Sequence, residues 1–140
     1  MANSPAKTLS GDPSQSASTD VASSDAGGMP RFKVTHKFAR ITARKCRLVA
    51  DLIRGKSVNE SLELLTYLHK RGARLIEKLL NSSVANASNQ GFLDVANLFV
   101  SEIHVDPGPT LKRWRPRAKG RACKLLKRTS HIRLAVSPRS

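Results

Sequence analysis

The 140-residue chain predicts an α+β fold: three helices packed on a small antiparallel sheet, with a long extended basic β-hairpin. Three observations predict it. Apolar residues recur at helical spacing between residues 43 and 87. After Gly91 the period changes to two. Between the two late strands, residues 106–130 are crowded with cations and hold one acid, Asp106.

The elements follow in order. A first strand is expected near Arg31 to Thr35. Over residues 43–54, Leu48, Val49, Leu52 and Ile53 fall on one helical face, with Arg44, Lys45 and Arg47 on the other. Thr42 is the expected N-cap and Gly55 the expected stop. Ser57 and Glu60 have the spacing of a capping box, in which a hydroxyl takes an orphan N–H of the first turn. Val58, Leu62, Leu65 and Leu68 then form a stripe, flanked by Leu64. A third helix is expected from about Ala73 to Ala87, with Leu75, Ile76, Leu79, Leu80 and Val84 inward, ended by Asn89-Gln90-Gly91. Phe99, Ser101, Ile103 and Val105 alternate with Val100, Glu102 and His104, which predicts a strand. Ile132, Leu134 and Val136 alternate with His131, Arg133 and Ala135, which predicts another.

Charge narrows the function. There are 25 Lys+Arg against 10 Asp+Glu, a net of +15. That excess calls for a polyanion: nucleic acid first, an anionic membrane surface second. Six aromatics leave a core of Leu, Ile, Val and Ala. No apolar run is long enough to span a bilayer. Cys46 and Cys123 cannot make a disulfide framework or a four-cysteine metal site, so both are expected as free thiols in a reducing cytosol.

The chain divides at residue 30. Residues 1–30 hold seven Ser, three Gly, three Pro and no aromatic, with a net charge of −2. Such a segment buries too little apolar surface to offset its chain entropy and is expected to be disordered. It is poor in Arg and carries acids, unlike an organelle transit peptide. Residues 31–140 are expected to form a single domain, including the hairpin at about 98–136.

Residues 112–128 place nine cations in seventeen positions: Lys112, Arg113, Arg115, Arg117, Lys119, Arg121, Lys124, Lys127 and Arg128. If Val105 and Ile132 sit in paired strands, the chain must leave the domain and return, turning near Pro116 to Lys119. Eleven or so extended residues per arm reach roughly 35 Å. A two-stranded ribbon of that length is not stable alone, and like charges oppose it further. It is built to be embedded in something polyanionic. Arginine suits RNA, with forked donors for phosphate and a flat face for bases. Trp114 either stacks on an unpaired base or packs between the arms. Gly108 and Gly120 are expected to supply backbone freedom, and Pro107, Pro109 and Pro116 to interrupt the ladder. Lys37, Arg40, Arg44, Lys45 and Arg47 offer a secondary anion-binding surface.

No catalytic constellation emerges. His36, His69, His104 and His131 lack metal-ligand spacing, and no glycine-rich phosphate loop occurs. Cys123 has no identifiable base partner, and His131 reads as a structural or RNA-contacting residue. No enzyme activity, cofactor, metal or small-molecule substrate is expected.

The run GPTLKRWRPRAKGRACKLLKRTSHIRLAVS closely resembles the C-terminal hairpin of the universal large-subunit ribosomal protein family numbered twenty-two. That family's pattern is a basic or amide residue, four free positions, Arg or His, and a small residue. After one free position come Gly and a basic or polar residue, then nine positions, a His-like residue and alternating aliphatics. These fall on Lys112, Arg117, Ala118, Gly120, Arg121, His131, Ile132, Leu134 and Val136. The upstream ARKCRLVADLIRGKSVNESLELLTY resembles the family's first two helices. The resemblance covers about residues 31–137; Trp114 departs from a position that is often not aromatic.

The resemblance implies a structural, cytoplasmic ribosomal protein. Its body would sit near the exit-tunnel opening, with the hairpin along the tunnel wall, contacting several domains of large-subunit RNA and helping to assemble them. Neighbouring large-subunit proteins and the nascent polypeptide would be its other partners. Carried over by position, Lys112, Arg113, Trp114, Arg115, Arg117, Lys119, Gly120 and Arg121 occupy or flank the tip; Lys124, Lys127, Arg128 and His131 lie on the returning arm. The competing reading is a free-standing RNA-binding chaperone.

Overall fold

The computed structural model describes residues 30–92 and 94–139. The segment expected to be disordered, residues 1–30, lies outside them except for Pro30. The elements are β1 (Phe32–Ala39), α1 (Ala43–Ile53), α2 (Val58–Tyr67), α3 (Arg71–Asn89), a 3-10 turn (Val95–Asn97), β2 (Leu98–Pro116) and β3 (Ala122–Pro138). The sheet is antiparallel with order β1-β3-β2, so β3 is central and β2 an edge. This is the expected α+β architecture.

One sheet face supplies Phe32, Val34, Val100, Ile103, Ile132, Leu134 and Val136 to the core. The helices cover it with Val49, Ile53, Leu65, Ile76 and Leu80. The other face is polar, as an antiparallel sheet permits. There Arg31 pairs with Glu102 at 2.8 Å, and Arg133 lies 3.9 Å from Asp106. Among the described residues, no helix is long and apolar enough to cross a membrane.

The local stop and cap signals hold. The Ser57 hydroxyl accepts the Glu60 N–H at 3.3 Å, and Gly55 takes φ +76° after the last residue of α1. Thr42 precedes α1 as expected, but only its carbonyl caps: it accepts from Lys45 and Cys46 N–H at 3.0 and 3.3 Å, while its hydroxyl makes no cap bond.

Two apolar faces differ from the expectation. In α1, Val49 and Ile53 are buried, but Leu48 and Leu52 are exposed; Cys46 and Ala50 complete the inner stripe. The reason is close packing. Small side chains let α1 approach α3, where a Cβ on Gly72 would already touch Val49 and Ile41 at 3.5 and 3.6 Å. In β2 a bulge falls between Val100, opposite Val136, and Glu102, opposite Ala135. The extra residue, Ser101, shifts the alternation, so Leu98 and Val100 join Ile103 and Val105 inside while Phe99 turns outward.

The helices also close the outer edge of β2. Gly55 N–H donates to the Val100 carbonyl at 3.0 Å, and Val100 N–H to the Lys56 carbonyl at 2.9 Å. Arg54 and Arg47 then donate to the Ile103 and Val105 carbonyls at 3.4 and 3.0 Å. An open strand edge is a template for unwanted pairing, and side-chain donors blunt it.

Candidate nucleic-acid interface

β1 pairs with β3 only between Ser130 and Val136. Past that point β2 and β3 continue alone to Pro116 opposite Ala122. The chain turns through residues 117–121, where Arg117 N–H donates to the Arg121 carbonyl at 2.8 Å. Lys119 and Gly120 both have left-handed backbone, at φ 57° and 66°. Every residue from Pro109 to Arg128 is exposed. At about 3.3 Å per residue, the arm from Pro107 to Ala118 reaches roughly 35 Å.

The register explains how so dense a charge coexists with pairing. Lys127 faces Leu111, Lys112 faces Leu126, Arg113 faces Leu125, Lys124 faces Trp114, Arg115 faces Cys123 and Arg128 faces Thr110. No two cations oppose each other directly in this ladder. Like charges directly across a sheet destabilise it, so the alternation removes the worst repulsion. Both ribbon faces consequently combine cations with apolar or neutral side chains. Trp114 lies within this pattern: Lys124 Nζ is 5.8 Å from the ring centre, a cation–π contact across the strands, and the residue remains 66% exposed.

Among the described residues, none of the nine cations of residues 112–128 pairs with a carboxylate. The nearest acid in sequence, Asp106, faces Arg133 instead. The field of the ribbon is left to an outside anion.

The ribbon is anchored at its root. Pro107 pairs with Ser130 and Thr110 with Arg128, so two residues oppose one and the strand bulges. The Thr129 hydroxyl donates to the Pro109 carbonyl at 2.6 Å. Gly108 lacks the left-handed φ that Gly120 has. It is needed for close approach: a Cβ there would lie 2.6 Å from Thr129 Oγ1 and 3.1 Å from His131 Nε2. Pro107, Pro109 and Pro116 are tolerated because β2 is an edge strand. His131 sits in this root, where its Nδ1 accepts the Phe38 N–H at 3.1 Å.

Of the secondary surface, Lys37 and Arg40 flank the end of β1, and Arg44 and Lys45 lie exposed on α1. Arg47 has a second task, since its Nε holds the edge of β2. Phe38 was not among the residues singled out from sequence, although an aromatic between Lys37 and Arg40 repeats the signal that marked Trp114. The thiols differ. Cys46 is fully buried and burial pushes its thiol up, opposed in part by the Ser130 hydroxyl; Cys123 is exposed on the ribbon.

A three-stranded body carrying a long ribbon of unneutralised cations defines a class: a protein that seats in folded nucleic acid. The family of ribosomal protein L22p/L17e matches residues 34–137, and the chain belongs to it. It is a structural constituent of the large ribosomal subunit in the cytoplasm, binding ribosomal RNA beside other ribosomal proteins, and its family is not one of enzymes.

Proposed function

We propose that the β2–β3 ribbon threads between domains of large-subunit RNA, ties them together during assembly, and lines the polypeptide exit tunnel with its tip. The observation that carries this reading is the set of nine solvent-facing, carboxylate-free cations on a ribbon that stands clear of its own core. Lys112, Arg113, Arg115, Arg117, Lys119 and Arg121 make the tip's phosphate contacts, with Gly120 keeping the turn tight. Lys124, Lys127 and Arg128 make those of the returning arm, and Trp114 offers a ring to an unpaired base. Lys37, Arg40, Arg44 and Lys45 hold RNA at the body. A nascent chain passing the tip would meet a cationic wall.

Fractionation of a lysate on a sucrose gradient, with mass spectrometry of this protein, tests the embedded ribbon. Near-stoichiometric recovery in large-subunit and whole-ribosome fractions, surviving a high-salt wash, is expected. Recovery at the top of the gradient, or release at modest salt, would favour a free-standing RNA chaperone.

A further inference from the structure

Phe38 combines three properties that rarely coincide. Its backbone is left-handed, at φ 59°. For a bulky residue that conformation is a genuine outlier and is strained. The residue is 60% exposed, so burial of its side chain does not explain the strain. Finally, the conformation is held from outside its own strand. The Phe38 N–H donates to His131 Nδ1 at 3.1 Å, and the two rings meet edge to face with centres 4.9 Å apart. The β1–β3 register breaks between His36 and Ala39, which pushes Lys37 and Phe38 out of the ladder. A flat ring is thus displayed where the ribbon leaves the body, flanked in sequence by the exposed cations Lys37 and Arg40.

We infer that Phe38 is a stacking platform for an unpaired nucleobase of RNA at the root of the ribbon, with Lys37 and Arg40 taking the flanking phosphates. His131 meets the ring at one side only, and Phe38 stays exposed, which leaves ring surface for a base. Stacking on aromatic side chains with adjacent cations is how single-stranded nucleotides are held. This rests on the RNA-binding reading above and adds a second aromatic contact point, at the root of the ribbon, whereas Trp114 lies along its arm. The strained backbone has a use in this arrangement: an extended Phe38 would return to the pleat of β1 and lose its outward display.

The test uses the full chain and an RNA stem-loop bearing one unpaired 2-aminopurine, whose fluorescence is quenched by stacking. Unaltered protein is expected to bind and quench. Phe38→Tyr is expected to match it. Phe38→Leu carries the same left-handed strain but no flat ring, and is expected to bind about tenfold more weakly without quenching, the loss of one base–aromatic stack. Its slope of log affinity against log salt should be unchanged, because no cation is removed. Phe38→Gly, which relieves the strain, should behave like Phe38→Leu. Equal affinity and quenching by Phe38→Leu would overturn the platform while leaving the ribbon's RNA binding intact. Failure of the unaltered chain to bind RNA would overturn both.

Discussion

Replacing Arg117, Lys119 and Arg121 together with alanine isolates the electrostatic term of the ribbon. These side chains surround the turn and are exposed, and the bond between residues 117 and 121 uses backbone atoms only, so the variant keeps the fold. Gly120 remains to supply the left-handed turn. Each phosphate neutralised contributes about 0.7 to the slope of log affinity against log salt for single strands. If the nine cations each meet a phosphate, the slope is about −6, and removing three brings it to about −4. Between about 50 and 200 mM salt the unaltered chain then loses nearly 10⁴ in affinity and the variant about 10²·⁵. Filter binding to an RNA fragment across a salt series reads both values, with the thermal midpoint as a control for folding. An unchanged slope would refute the reasoning, because the tip cations would then contact no phosphate.

Three further outcomes follow from the packing. With a thiol reagent, Cys123 should react at once and Cys46 only on unfolding, since Cys46 is 0% exposed and burial raises its thiol; two fast thiols would show that α1 does not bury it. Gly108→Ala should destabilise the protein by about 1–3 kcal/mol through overpacking against Thr129, and the Gly108→Ala, Thr129→Ala double variant should lose less than the sum of the singles in denaturant titrations, whereas simple additivity would reject the clash. His36 is held below its ordinary value of 6.5 by burial first and Lys78 second. The unfolded chain therefore binds that proton more readily, so stability is full above pH 6.5 and falls as pH drops below it, until the folded imidazole also protonates. Thermal midpoints of the protein and of His36→Gln between about pH 5 and 8 should converge at the acid end, and parallel curves would exclude His36 as the source.

Ser57 and Gly55 were legible because a cap and a stop depend on residues within four positions of them. The alternation of Ile132, Leu134 and Val136 was legible because β3 is central and its inner face has one possible phase. The density of cations in residues 112–128 already pointed to RNA, since the segment itself holds no acid to neutralise them. What remained hidden depends on partners distant in sequence. Leu48 and Val49 are adjacent, and the packing of α1 against the sheet and against α3 near Gly72 decides which is buried. The Ser101 bulge exists only in the pairing of β2 with β3, and the same pairing places a neutral residue opposite each cation of the ribbon's paired arms. The need for glycine at 108 comes from Thr129, twenty-one residues away, and the display of Phe38 from His131, ninety-three residues away. Short-range spacing thus determined the elements, the Ser57 cap and Gly55 stop, and the charge of the interface. The tertiary structure alone decided which faces turn inward and where rings and cations meet, because those choices are made between segments that touch only once the chain has folded.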